Sequence, residues 1–459
     1  MTQILHVVVS VYAVFTLVML VVRLEWGLVL LIPMVPMAMY TYRTPITGLN
    51  LNNLLIYTAF SMGLLRRIGR PGPWPPATLP LVTFFGLTLL SWLVGYLNFH
   101  GHPYNFATWR WFVNIERWVL YTLLYFAYYF GWSDRIPERT GFHWMFAGVL
   151  IAAAYNIYEV FFPSTYLISS GRTGGLFSQA NANGIFLASY GLLPLVLAGL
   201  HRSALRRTFY VGSFLLCIVG VVLSASRAAL ICLGAAGLVF AWYRSRWTFL
   251  GLVFAIALAV PLASVIIPKG ILERYESTFQ GSSYEGVAGK LEGSAANRLV
   301  QNVAGAKLFV ESPIIGHGLG GFYYRSPKYL PPGSPDITRA AHSTFLVFTV
   351  EGGILALASL LWLLGTLAMS GKRLYDSGAG EEERMYGLFL LASMVAKVIA
   401  NALNTEFITG DVSSFLWMTA ALVSRAYAKI PMRSVVRQPV PTPWRPRTRP
   451  EVRPPVMHG

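Results

Sequence analysis

SAANRLVQNVAGAKLFVESPIIGHGLGGF, residues Ser294–Phe322, is the centre of a hydrophilic island that runs from Pro268 to Ala341 between stretches apolar enough to lie in a bilayer. The island holds eight Lys/Arg: Lys269, Arg274, Lys290, Arg298, Lys307, Arg325, Lys328 and Arg339. Apolar residues recur at helical spacing over Ser294–Val310, which predicts a helix lying near the membrane. Pro313–Phe322 reads as a glycine-rich turn region and Lys328–Asp336 as a proline-rich loop. The island runs straight into His342. A cation-rich lobe closed by an imidazole at the membrane face suits a charged, membrane-anchored substrate such as a lipid diphosphate.

Working outward, the 459 residues are 55% hydrophobic and 12% charged, with a mean hydropathy of +0.54. Soluble domains carry about 25% charged residues, so the bilayer is the default solvent. Leu5–Val22 lacks a basic leader region and a small-residue cleavage site, and another apolar stretch follows at once, so it reads as a membrane segment rather than a signal peptide. A span needs about 20 apolar residues. Candidates are 5–22, 26–42, 47–65, 78–98, 111–132, 142–162, 184–200, 208–223, 228–243, 247–267, 342–369, 385–404 and 412–428. That makes thirteen, or twelve if one of the closely spaced first three is re-entrant or interfacial. The expected fold is all-α and polytopic, with 12–13 transmembrane helices and one large extracytoplasmic helical lobe. The expected organisation is an N-terminal bundle (1–267), the lobe (268–341), C-terminal transmembrane helices (342–428) and a basic, proline-rich tail (429–459). No internal repeat is visible.

The formal charge of +17 is uneven. From Lys429 onward seven Lys/Arg face the single Glu451. Such a tail is expected to be extended and drawn to anionic lipid at the cytoplasmic face, rather than to nucleic acid. Arg66, Arg67 and Arg70; Arg202, Arg206 and Arg207; Arg244 and Arg246; and Lys372 and Arg373 lie in alternating loops. The positive-inside rule makes these cytoplasmic. By parity the island faces outward, together with the loops around His100–Arg110, Ser164–Asn181, Ser224–Arg227 and Asn404–Asp411. Eight basic against six acidic residues in the island do not oppose this, because long loops translocate regardless of charge.

Chemistry is expected where cations gather on that outward side. Arg227, in SASRAA at the junction of two apolar stretches, offers a guanidinium fork that matches phosphate oxygens, although arginine at such a boundary also snorkels to headgroups. Arg298 lies on the predicted helix of the island, where a solvated face is the ordinary expectation. Arg172 opens a segment rich in glycine and amide side chains, which an anion site and a plain surface loop use equally. No carboxylate run neutralises these arginines. His342 suits a general base that activates a sugar hydroxyl, and nearby arginines should keep it neutral. Glu351, nine residues on, is too far along the helix to pair with it and is left to meet another helix or line a cavity. Glu116, Arg117, Glu159, Lys397 and Glu406 lie in or beside spans, where local pairing competes with a substrate path. The chain has four aspartates and no metal-ligand spacing, so no metal or cofactor is expected. Cys217 and Cys232 read as packing residues.

Four blocks, RTGGLFSQAN (Arg172–Asn181), SASRAA (Ser224–Ala229), NRLVQNVAGAKLFVESPIIGHGLGGF (Asn297–Phe322) and HSTFLVFTVEGG (His342–Gly353), resemble the O-antigen ligase and Wzy-type polymerase superfamily of bacterial membrane glycosyltransferases. The last block fits the family pattern of His, then a small polar residue, then Gly, at His342, Ser343 and Gly353. Two positions depart from the family pattern: Gln179-Ala180-Asn181 stands in the first block where Asn-Pro-Asn is frequent, and Ala356 stands three residues after the final glycine, where a small or aromatic residue is frequent. The resemblance implies a GT-C-like fold in the bacterial inner membrane. It further implies metal-independent transfer of a glycan from undecaprenyl diphosphate to an acceptor hydroxyl on the periplasmic face. It assigns Arg227 and Arg298 to the diphosphate and His342 to the acceptor. Arg172, Asn181 and Ser343 fall at accessory binding positions. The acceptor is lipid A–core for a ligase, another lipid-linked repeat for a polymerase, and Ser/Thr for a protein-modifying member; the ligase is favoured. A transporter or flippase of lipid-linked glycan is the rival from another class, and the absence of a duplicated half argues against it.

Overall fold

The computed structural model describes residues 2–41, 50–69, 72–99, 109–177, 179–266, 273, 281, 293–331, 334, 341–377, 380–405 and 410–430. Most of the basic tail, the loop 100–108 and Glu406 lie outside them, as do the side chains of Glu116 and Arg117. Among the described residues every regular element is a helix.

In chain order these are α1 (Thr2–Val22), α2 (Leu24–Met34, continued by a 3-10 turn to Tyr40), α3 (Leu51–Ile68), α4 (Thr78–Phe99), α5 (Trp109–Gly131) and α6 (Glu138–Phe161). A short α7 (Thr165–Ser170) precedes α8 (Ala180–Tyr190), α9 (Leu193–Leu200), α10 (Ala204–Leu223), α11 (Arg227–Arg244) and α12 (Arg246–Ile266). The lobe contributes α13 (Gly293–Glu311) and α14 (Gly321–Arg325); α15 (Thr344–Asp376), α16 (Glu381–Leu403) and α17 (Gly410–Ala428) complete the chain. Each of the thirteen apolar stretches falls on a helix, with 184–200 divided between α8 and α9. Among the described residues eight helical stretches, α8 and α9 together counting as one, are long and apolar enough to cross a membrane, and the apolar segments Leu24–Tyr40, Val119–Gly131 and Arg246–Leu258 are shorter. The protein is a multi-pass membrane protein.

Helices suit this solvent because they satisfy their own backbone groups where no water can. Without a hydrophobic force between them, they associate through close packing at small residues. Gly371 on α15 and Gly387 on α16 meet in this way. A β-carbon on either would lie within 2.8 Å of the other's carbonyl oxygen. Larger side chains fill the remaining space, as where the Phe142 and Tyr386 rings stack at 3.8 Å.

Ion pairs mark one end of the bundle. Arg66 faces Glu25 at 3.8 Å, Arg425 holds Asp134 at 2.5 Å, and Lys429 holds Glu138 at 2.5 Å. Arg244, at the C-terminus of α11, pairs with Glu381, at the N-terminus of α16, at 3.2 Å. That last pair sets α11 and α16 antiparallel, so Arg227 and Leu403 stand together at the opposite end.

At that opposite end the lobe is fastened through backbone. His317 and Gly318 N–H donate to the carbonyls of Val350 and Glu351, both at 2.9 Å, while Ile354 N–H donates to Pro313 O at 2.8 Å. Leu319 N–H reaches Ser91 O of α4 at 2.8 Å, and Ser91 Oγ donates to Glu351 O at 2.8 Å. The seam needs glycine. Gly353 kinks α15 at φ 67°, ψ −166°, a region essentially reserved for glycine. A β-carbon there would sit 2.2 Å from Ile314 O, and one on Gly318 would sit 2.2 Å from Gly95 N. Glu351, buried, is met by the backbone of Gly320 and Phe322, so it closes the turn rather than lining an open path.

Gly353→Ala is therefore expected to lower stability by roughly 3 kcal/mol or more. Gly365→Ala, whose new methyl would meet nothing within 4 Å, is expected to change it by no more than about 1 kcal/mol. Thermal unfolding of both variants in one detergent reads the contrast.

Candidate functional site

Two polar clusters occupy the end of the bundle that carries the lobe. The first is built on the reversal between α10 and α11. Ala225 adopts φ 45° there, a left-handed conformation that costs an L residue roughly 1–2 kcal/mol. The turn presents Ser226 as the N-cap of α11, its hydroxyl accepting from Ala229 N–H at 3.4 Å. Arg227 is consequently the first residue of that helix and half-buried. It stands where the helix dipole favours negative charge.

Asn181 ties this turn to the first block. Its Oδ1 accepts from Arg172 Nη2 at 2.8 Å and from Ser226 Oγ at 3.0 Å. Arg172 Nε also donates to Ser224 O at 3.0 Å, which spreads one guanidinium across both segments. Since the guanidinium can only donate, the amide must turn its oxygen toward it. Beneath lies a scaffold of buried amide and acid groups. Asn156 of α6 and Asn183 of α8 exchange hydrogen bonds at 2.7 and 3.3 Å. Glu159, also on α6, accepts from Gly175 N–H at 2.8 Å and from Ser164 Oγ. Gly175, at φ 56°, leaves no room for a β-carbon, which would lie 2.3 Å from Asn183 Oδ1.

The second cluster joins the lobe to α15 and α16. Gly305 lets α13 press against the start of α15, where a β-carbon would lie 2.2 Å from Leu346 Cδ1. That contact brings the Arg298 and Gln301 face of α13 to His342. The backbone N–H of His342 donates to Gln301 Oε1 at 3.3 Å. Arg298 Nη2 donates to Asn404 Oδ1 at 3.2 Å. Asn404, the C-cap of α16, is 6% exposed. Its Nδ2 has no hydrogen-bond partner among the described residues. A buried donor without an acceptor costs about 1–3 kcal/mol, so an acceptor oxygen brought by a ligand beside Arg298 would be favoured there. Ser343 caps α15, accepting from Leu346 N–H at 3.3 Å and donating to Asn401 O at 3.2 Å. Thr344 Oγ1 donates to Asn401 Oδ1 at 2.7 Å.

Burial, and then the positive charge of Arg298, push the pKa of His342 below the ordinary imidazole value. Its ring is therefore neutral near pH 7 and able to accept a proton. Elsewhere in the lobe, Lys328 Nζ reaches Glu311 Oε1 at 2.5 Å, so those charges serve each other.

The structure thus joins Arg172 and Asn181 to the SASRAA turn, and Arg298 to His342. Arg227 stands with both clusters at one end of the α11–α16 pair. Ser343 is placed as a helix cap. Sequence reasoning missed Asn404, Asn401 and Gln301. The spacing of Asn401 and Asn404, one turn apart at the end of a span, was the available signal, as was Gln301 three residues after Arg298.

Helices throughout the described residues, eight of them long and apolar enough to cross a membrane, and a lobe held at one end define a multi-pass membrane protein with arginines and a histidine at that end. Residues 212–361 match the O-antigen ligase family, Wzy_C. The match contains Arg227, Arg298 and His342 and bears out the resemblance to the O-antigen ligase and Wzy-type superfamily. Among curated proteins none matches the chain.

Two outcomes are expected from this geometry. Asn181→Asp keeps the acceptor oxygen but neutralises Arg172, so folding is retained while turnover falls. Asn181→Ala strands two donors and loses about 1–3 kcal/mol of stability, as unfolding in detergent would read. In a histidine NMR titration, His342 is expected to lose its proton below about pH 6.5. Arg298→Gln should raise that midpoint but leave it short of the ordinary value, because burial persists.

Proposed function

We propose that this protein transfers a glycan from undecaprenyl diphosphate to an acceptor hydroxyl at the periplasmic face of the bacterial inner membrane, with lipid A–core as acceptor. The carrying observation is the second cluster: a guanidinium, an amide donor with no protein acceptor among the described residues, and a neutral imidazole within one seam. The polyprenyl chain would lie among the apolar helices, with its diphosphate between Arg227 and Arg298. His342 takes the proton of the acceptor hydroxyl as its oxygen attacks the anomeric carbon. The bond from that carbon to the diphosphate oxygen breaks, and the electron pair leaves with the lipid diphosphate. Inversion is the stereochemical expectation, since among the described residues no carboxylate clearly suits a covalent intermediate. The outward orientation rests on the ion-paired, arginine-rich loops at the other end, which the positive-inside rule retains in the cytoplasm.

Guanidiniums placed before the reaction meet the leaving-group charge without reorganisation. Losing one such donor typically costs about 2.7–4 kcal/mol, or 10²–10³ in kcat. Arg227→Ala and Arg298→Ala are expected to lose transfer by at least that factor, and His342→Ala to lose it essentially completely, while each variant still inserts and elutes as the parent does. The assay supplies purified protein with lipid-linked glycan and either lipid A–core or a second lipid-linked repeat. Product formed with the second repeat alone would make the enzyme a polymerase, and normal transfer by any variant would remove that residue from the mechanism.

A further inference from the structure

A basic recess lies at the ion-paired end of the bundle, opposite the end that carries the candidate site. Two adjoining cavities, of about 610 and 290 Å³, share Arg66 and Asp134 in their walls. The larger also meets Glu25 and Arg135, and the smaller meets Arg67, Phe130 and Arg425. Both sizes lie near the range of ligand pockets, about 300–1,000 Å³.

Its charges divide into two groups. Arg66 is taken up by Glu25 and by Gly131 O at 2.9 Å. Arg425 is taken up by Asp134 and by Tyr129 O at 2.9 Å, and Lys429 by Glu138 and Asp134. These account for every carboxylate near the recess among the described residues. Arg67 instead packs against two rings, 4.6 Å from the Trp74 centroid and 4.9 Å from that of Phe130. The Arg135 side chain is exposed and makes no ion pair among the described residues. Arg67 in the smaller cavity and Arg135 in the larger therefore make no ion pair among the described residues, while the Glu25 and Asp134 that share these walls are engaged by Arg66, Arg425 and Lys429. Leu65 (60% exposed) and Ile68 (73%), in the same last turn of α3 as Arg66 and Arg67, and Trp74 (56%), which touches Arg67, offer apolar surface beside the recess. Tryptophan is enriched at membrane–water interfaces.

We infer that this recess binds the phosphate of an anionic glycerophospholipid, with Arg67 and Arg135 as its cationic contacts and Leu65, Ile68 and Trp74 against its acyl chains. Basic pockets between transmembrane helices on the cytoplasmic side recognise such headgroups. A phosphodiester with acyl chains fits better than free phosphate, because the apolar rim adjoins the cations.

The test uses the full-length protein. Purified protein in nanodiscs of phosphatidylcholine mixed with a minor fraction of phosphatidylglycerol is released and analysed by native mass spectrometry for retained lipid. Wild type is expected to retain phosphatidylglycerol over phosphatidylcholine, and Arg67→Ala/Arg135→Ala to lose that preference by about tenfold or more. Arg135→Gln alters no side-chain contact among the described residues and should lose part of the preference, which gives a second reading if the double variant folds poorly. Lys372→Gln, at the same end but outside the recess, should keep it. Equal retention of the two lipids by wild type, or preference undiminished in both arginine variants, overturns the inference. So does stabilisation by inorganic phosphate equal to that by phosphatidylglycerol, which would make the ligand a soluble anion.

Discussion

The cluster that joins the lobe to the bundle depends on one seam, the backbone contact of the turn 313–322 with the kinked α15 and with α4. A soluble lobe above a membrane bundle has little to hold it in register, because apolar burial drives neither partner strongly. Here the register comes from amide-to-carbonyl bonds that skip side chains: His317 to Val350, Gly318 to Glu351, Ile354 to Pro313 and Leu319 to Ser91. Such bonds between segments from distant parts of the chain require backbones to touch. Gly95, Gly318 and Gly353 stand where they do so. With the turn held, Gly305 against Leu346 sets the slope of α13, and Arg298 reaches Asn404 as a result.

The buried polar groups trade stability for position. Asn156, Asn183, Glu159, Asn401 and Asn404 are all nearly inaccessible inside a protein whose solvent is lipid. Polar residues at such places are expensive unless satisfied and are commonly functional. Most of these bond one another or backbone, which makes the first block and the SASRAA turn a stiff frame around Arg172 and Arg227. Asn404 differs, because one side of its amide is taken by Arg298 while the other faces no acceptor among the described residues. An unmet amide donor beside a guanidinium is what the proposed preorganised anion site would use.

Much of this could be read from the residues, and the remainder fails for a physical reason. The thirteen apolar stretches were legible because a bilayer imposes a length and a composition on each span separately. Arg227, Arg298 and His342 were legible because charge is rare in such a chain and each sits at a boundary. Gly353 was visible as a position in a pattern, but its kink depends on Ile314 lying across it, which nothing local encodes. The amide network was invisible for the same reason. Asn181 gains meaning from Ser226, 45 residues away, and Asn404 from Arg298, 106 residues away. Helix geometry left Glu351 to meet another helix or line a cavity, whereas its partners are two amides of a turn some thirty residues earlier in the chain.

The closeness of Arg298 to His342 has a consequence for how the proposed transfer would be timed. Before reaction, burial and the guanidinium together disfavour an imidazolium, so the ring waits as a base. Taking the acceptor's proton places a second positive charge beside the first, in surroundings of low dielectric where such repulsion is strong. A bound donor brings negative charge on its diphosphate that offsets part of this repulsion, and the further charge that develops on the departing diphosphate as the bond breaks would offset the rest. Proton uptake and bond cleavage are thus driven to occur together. An acceptor hydroxyl without a donor glycan in place gains no activation, and a donor without an acceptor finds no proton acceptor engaged with a hydroxyl. The same pair of charges that holds the base ready would also restrain it until both substrates are present.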